Sequence, residues 1–344
     1  MQPAAATGLM LTKPGVPAWE PDGGLPLGIQ TSTAVLSARL YGHRGDPVVI
    51  LPDGPGFASS YLAPVASMLS LRYQALLVDQ RGSGTSLTLD QSFKVWDYIA
   101  DLEDVRHHLD TQRLHLVGHG WGGLLAQLYA AALPERVAGL FLIGPAPGVG
   151  LAWTWARRHE ARTVASRAGF LGSARTRLWS ALVHLHEELG GDQAAQRLCG
   201  LTWTAWFADP RGAPPPEESW RRGARSRAMV ATDRSLRETS AGMLPSVVPA
   251  PCPVLVLYGE YDLYGRAAQQ TVRDRFAGAR QVQVVGAGHV PWLEKPGAFE
   301  SELARFFELG ARRRSRARPH AALTTNAPAD EESRPAAAET RRAA

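Results

Sequence analysis

Three stretches of this sequence carry residue types whose spacing could do chemistry together. GHGWGG, residues 118–123, ends one apolar run and opens another. Gly118, Gly122 and Gly123 suit a sharp strand-to-helix turn of the kind that presents a nucleophile. The central position, however, is Gly120, which has no side chain to attack with. His289, beside Gly288 at the end of RQVQVVGAGH, has the setting of a general base on a loop after a strand. Asp262 closes VLYGEYD at another strand tip, with Glu260 as its competitor for an acidic role. GHGWGG lacks the Lys and Ser/Thr of a phosphate loop and the spacing of a dinucleotide fingerprint, so no nucleotide cofactor is expected.

The elements that must hold these residues are legible as apolar runs ending in turns. DPVVILPDGPG, YQALLVDQRGSG, LHLVGHGWGG, VAGLFLIGPAP, CPVLVLYGEYD and RQVQVVGAGH alternate with helical segments, the pattern of a mostly parallel sheet covered on both faces. GIQTSTAVLSARLYG predicts a hairpin at the sheet edge. Function belongs at the carboxyl ends of such strands. The alternation breaks over residues 147–248, where WTWARRHEARTVASRA, ARTRLWSALVHLHEELG and DQAAQRLCGLTWTAWF read as helices of an inserted cap. Six of the ten tryptophans fall there: Trp153, Trp155, Trp179, Trp203, Trp206 and Trp220. Their spacing suits helix packing, and the underside of a cap would equally make an apolar pocket for a small molecule.

Composition narrows the class. The 344 residues are 45% hydrophobic, with no run of membrane-spanning length and no signal-peptide pattern at the start, so a soluble cytoplasmic protein is expected. Cys199 and Cys252 form neither a metal-ligand spacing nor a disulfide framework, and no metal is expected. The net charge of +5 lies mostly in residues 310–344, where eight Arg oppose four acidic residues; that tail is expected to be disordered and does not imply nucleic acid. Residues 1–27 are expected to be an extended arm, with the α/β core at 28–146 and 249–309.

These residues resemble the α/β-hydrolase fold, and within it the prolyl iminopeptidase-like branch with a helical cap. VDQRGSG looks like the family's turn after an early strand, LPDGPGFASSYL is similar to its HGGPG loop, and GAGHVPWLEKPGAFESELARFF resembles its catalytic-histidine loop and final helix. The resemblance implies that Asp262 orients His289 and that the backbone N–H groups of Trp121 and Gly54 form an oxyanion hole. It also shows departures. Gly120 stands where the family has its nucleophile, and Pro52 and Asp53 replace the usual His and Gly. Phe207 follows Trp206 where the iminopeptidase cap has a Glu that reads a free amino group.

An acyl- or alkyl-enzyme on residue 120 is therefore excluded. The expected function is a His289–Asp262 dyad acting as general base on a small, largely apolar substrate, by cyclisation, elimination, carbon–carbon cleavage or noncovalent hydrolysis, in specialised metabolism. Alternatives are a noncatalytic binder of a ligand or partner, and a hydrolase whose nucleophile comes from elsewhere, such as a cap serine. Asp53, His119, Trp203, Trp206 and Phe207 are candidate pocket residues. Asp53 is expected to stabilise its own turn, because a carboxylate pointing inward would repel a developing oxyanion. The side chains of His119 and Trp121 are expected to point away, leaving room above Gly120 for water or substrate.

Overall fold

The computed structural model describes residues 24–189, 191–249 and 252–317. Five apolar runs become adjacent parallel strands: β3 (Pro47–Leu51), β4 (Gln74–Val78), β6 (Leu114–His119), β7 (Val137–Ile143) and β8 (Val254–Gly259). They are almost wholly buried, as expected of strands covered on both faces. β9 (Arg280–Val284) joins β8 at one edge, and its mixed burial matches its more polar sequence. At the other edge β1 (Leu25–Gln30) and β2 (Ala34–Tyr41) form the antiparallel hairpin, and the short β5 (Leu87–Thr88) pairs with β2. The strand order is β1-β2-β4-β3-β6-β7-β8-β9.

That order is what assembles the site. Leu51 lies opposite Gly118, and His119 opposite Ile143, so β3, β6 and β7 end side by side. The loops carrying Asp53, Gly120, Asp262 and His289 all leave the same edge of neighbouring strands. Adjacent strands are about 4.8 Å apart, so a short side chain from the β3 loop can lie over the end of β6.

One face of the sheet packs on α2 (Val95–His108), α3 (Trp121–Ala132) and α8 (Gly265–Arg275); the other packs on α1 (Ala63–Ser70) and α10 (Pro296–Ala317). α10 continues to Ala317, past the point where the tail was expected to begin. The remainder of that tail, like most of the expected N-terminal arm, lies outside the described residues. Between β7 and β8 run α4 (Leu151–Leu189), α5 (Gln193–Ala205), α6 (Glu218–Arg222) and α7 (Ser226–Glu238). The two helical segments read in the first part of this insertion form one run, broken at Gly169, where φ is 69° and ψ is −176°. No helix among the described residues is long and apolar enough to cross a membrane.

Candidate active site

Gly120 joins β6 to α3 with φ 52° and ψ −114°, a conformation that costs a residue with a side chain energy and that glycine adopts freely. The turn also demands close packing. A Cβ on Gly118 or Gly122 would lie 2.5 or 2.4 Å from a backbone oxygen, so both positions exclude side chains, as the motif implied.

The space above Gly120 is filled by the carboxylate of Asp53. A Cβ on Gly120 would sit 2.1 Å from the Asp53 Cγ, so the two residues are mutually dependent: the carboxylate fits because residue 120 has no side chain. Asp53 Oδ1 accepts a hydrogen bond from the backbone N–H of Trp121 at 2.6 Å, and Oδ2 lies 3.2 Å from His289 Nε2. This corrects two expectations. Asp53 points into the site instead of merely stabilising its turn, and the room above Gly120 is not free for water or substrate. The repulsion that argued against an inward carboxylate is removed by what surrounds it: a helix N-terminus, whose dipole favours negative charge, and an imidazole.

His289 is held between two carboxylates. Its Nδ1 lies 2.8 Å from Asp262 Oδ2, and the ring is completely buried. Asp262 is itself positioned by the backbone N–H of Tyr264 at 3.0 Å and the side-chain amide of Gln269 at 3.3 Å. Burial opposes charge on His289, but Asp262 and then Asp53 outweigh it, raising the pKa from 6.5 to about 10. Burial would likewise raise the Asp53 pKa, yet the hydrogen bond and charge of His289 bring it below the usual carboxylate value. The two neighbouring carboxyl groups thus favour the protonated form of the His289 ring. A protonated imidazole donates where a neutral one would accept, and the carboxylate oxygen nearest its Nε2 is Asp53 Oδ2.

His119, a candidate pocket residue, lies beneath the site as a brace. The Asp53 N–H donates to the Tyr61 hydroxyl at 2.7 Å, and the hydroxyl lies 2.7 Å from His119 Nδ1. His119 Nε2 lies 2.9 Å from the His289 carbonyl oxygen, which can only accept. This fixes a neutral tautomer with the proton on Nε2, and burial followed by the charge of His289 lowers the His119 pKa to about 3. Asp53, His119 and His289 form the only cluster among the described residues with metal-ligand proximity. Both ring nitrogens of His119 are already engaged, and His289 spends both of its own on carboxylates, so the cluster reads as a hydrogen-bond chain.

Aromatic rings close the centre. The Trp206 ring lies 5.4 Å from that of His289, and the Trp206 carbonyl accepts the His289 N–H at 2.6 Å. Trp203 and Phe207 pack against each other at 5.2 Å one layer further out, with the Trp203 indole N–H donating to the Pro214 carbonyl. The Trp121 indole points into the core and donates to Gln80 Oε1, while its backbone N–H faces the site. Gly54 follows Asp53 in the same tight loop, with φ 150°. Sequence reasoning missed Tyr61 and Gln269; neither belongs to a spacing pattern, and their roles exist only once the loops meet.

With this geometry in place, comparison with known proteins assigns the class. The alpha/beta hydrolase fold family profile matches residues 46–296, and the chain belongs to that family. It is similar to a probable proline iminopeptidase of Streptomyces coelicolor, 32% identical over 198 residues, which cover 50% of this chain and 56% of that protein. The proline iminopeptidase of Neisseria gonorrhoeae is 35% identical over 107 residues, 29% of this chain and 33% of that one. The chain thus spans between about a third and about half of these relatives' length. An enol-lactonase structure from Burkholderia xenovorans superposes with a TM-score of 0.60 at 18% identity, covering 82% of this chain and all of that one; this likeness shows the fold.

Proposed function

We propose that this chain is an enzyme of the hydrolase fold that works without an elbow nucleophile, through an acid–base centre of Asp53, His289 and Asp262 acting on a small, largely apolar substrate. The observation that carries this reading is the position of the Asp53 carboxylate, in the space a nucleophile's side chain would fill and 3.2 Å from His289 Nε2. In that centre Asp53 is the base and His289 the acid, while Asp262 keeps the imidazole oriented and charged. A proton transfer by such a positioned group contributes about 10² to 10⁴ in rate. Trp206 and the rings beyond it keep water out, and Phe207, in place of a carboxylate, suits a substrate without a free amino group. By resemblance Gly54 remains a backbone donor of the site, whereas the Trp121 N–H is held by Asp53 Oδ1.

The test is conversion. Purified wild-type protein and the His289→Ala and Asp53→Asn variants are incubated with apolar metabolite extracts, and consumed species are identified by mass spectrometry. A species consumed by the wild type and by neither variant is expected. Equal consumption by all three would sink the reading.

A second reading, a noncatalytic binder, draws support from closure: Asp53 is 3% and His289 0% exposed, and aromatic rings cover both. Ligand capture without conversion by the wild type would favour it.

A further inference from the structure

Three arginines converge on one groove of the helical insertion, apart from the acid–base centre. Arg175 and Trp179 stand four residues apart on α4, and Arg197 and Gly200 three apart on α5, so each pair shares a helix face. Arg221 joins them from α6, and together they line a groove of about 440 Å³. The groove lies opposite the packed side of α5, where Ala194, Ala195, Leu198 and Cys199 are buried. We propose that it is a binding site for a small oligophosphate, a short chain of linked phosphoryl groups.

Charge carries the argument. Among the described residues no carboxylate lines the groove. The Asp192 carboxylate, at the start of α5, is engaged elsewhere: it accepts the Ser226 N–H at 2.8 Å and lies 3.6 Å from the Arg225 guanidinium. Glu218 pairs with Arg222 at 2.6 Å and comes only within 3.8 Å of Arg221. Three guanidinium charges therefore face one concave surface with little to offset their mutual repulsion, and an entering anion would relieve it. The Arg197 guanidinium lies over the Trp179 ring, 5.6 Å from its centroid. Stacking fixes the plane of that guanidinium and leaves its N–H donors at the rim, in the fork that pairs with two oxygens of a phosphate. A single phosphate group carries about −1.5 to −2 near neutral pH, less than the three arginines supply. A short chain of such groups matches them.

Shape supports the same ligand. Glycine weakens a helix interior, yet Gly200 sits inside α5. A Cβ there would meet only the Arg221 Cδ, at 3.6 Å, an ordinary contact, so packing does not demand the glycine. What it leaves is an open floor beside Arg221. The Gln196 side-chain amide donates to the Arg222 carbonyl at 3.2 Å and so ties α6, with Arg221, to α5.

The experiment is isothermal titration calorimetry of the full chain with inorganic tripolyphosphate, in about 0.15 M NaCl, where diffuse surface attraction is screened. A saturable, equimolar site is expected. Arg197→Gln and Arg221→Gln should each weaken it by on the order of tenfold or more, the loss of a charge-assisted contact, and orthophosphate should bind the wild type weaker by a similar factor. Gly200→Leu keeps every charge and favours the helix, and should weaken binding as much by filling the floor. A variant combining Arg312→Gln, Arg313→Gln and Arg314→Gln, in the basic segment near the C-terminus, should bind as the wild type does. Absence of saturable heat with tripolyphosphate would overturn the site. So would affinity unchanged in Arg197→Gln and Gly200→Leu, or lost in the triple variant, since the basic segment would then be the binder. Orthophosphate or citrate binding as tightly as tripolyphosphate would overturn the oligophosphate.

Discussion

Two buried ion pairs stand on either side of the same loop system, and they differ in what their cation can do. In the first, Arg81 donates to both oxygens of Asp101, at 2.7 and 2.8 Å, to the Ser92 carbonyl at 3.0 Å and to Thr33 Oγ1 at 2.9 Å, with none of its side chain exposed. Asp101 also accepts from Thr31 at 2.9 Å. A guanidinium does not release its proton, so this network can only hold the VDQRGSG turn in place. In the second, His289 sits between Asp53 and Asp262 with a proton it can lose. Burial is the same in both; the chemistry is separated by the cation. One pair fixes geometry and the other stores a proton within that geometry.

The largest expected effect breaks the first pair. Arg81→Ala leaves Asp101 buried without its cation and should cost about 3 to 5 kcal/mol of stability in chemical denaturation. Such a loss could unfold a domain of ordinary stability. Next comes Gly120→Ala, which adds a Cβ where Asp53 stands and places a side chain on a strained backbone. We expect a loss of about 2 to 4 kcal/mol by the same measurement, with Asp53 displaced from His289. Asp53→Asn keeps the shape but removes the charge. It should cost about 1 to 3 kcal/mol and move the His289 pKa down, read by NMR titration of the ring. A His289 pKa unchanged in the Asp53→Asn protein would show that the second pair is not coupled as described.

A change of pH alone also separates the two pairs. The folded pKa of His289 lies above its ordinary value, so its contribution to stability is fully present below about pH 6.5 and is lost as pH rises toward about 10. Over that window Arg81 stays charged. Wild-type stability should therefore decline between pH 6.5 and 10 by more than that of His289→Gln, while the two curves run parallel if the His289 pKa is not raised. In acid the sign reverses at His119: its folded pKa is depressed to about 3, so stability falls as pH drops below 6.5 and the unfolded chain alone takes up the proton.

Much of this arrangement could be read from the residues. Five of the six apolar runs became almost wholly buried strands because unbroken Val, Leu and Ile sequences suit strands covered on both faces, while the more polar RQVQV became the half-buried edge strand β9. GHGWGG became the strained turn because close backbone contact leaves room only for glycine at 118 and 122. His289 and Asp262 met because each follows a strand of the same parallel sheet. Asp53 was misread for a physical reason. Local turn chemistry favours a carboxylate bonded to its own backbone, and what overrides it comes from residues remote in sequence: the Trp121 N–H and the imidazole, 68 and 236 positions away. Tyr61 carried no signal for the same reason, since its hydroxyl matters through the Asp53 N–H and His119 together.

Residue types and their periodicity, then, determined by themselves that this chain forms a mostly parallel sheet covered by helices, that its site lies at the strand ends, and that residue 120 cannot attack. These follow from backbone sterics and burial, which are local or nearly periodic. Which group stands in the vacated space, and whether His289 rests as base or acid, was decided only when the loops after β3, β6, β8 and β9 converged. Electrostatic interaction between buried groups depends on distance in space, and a chain sets that distance only by folding.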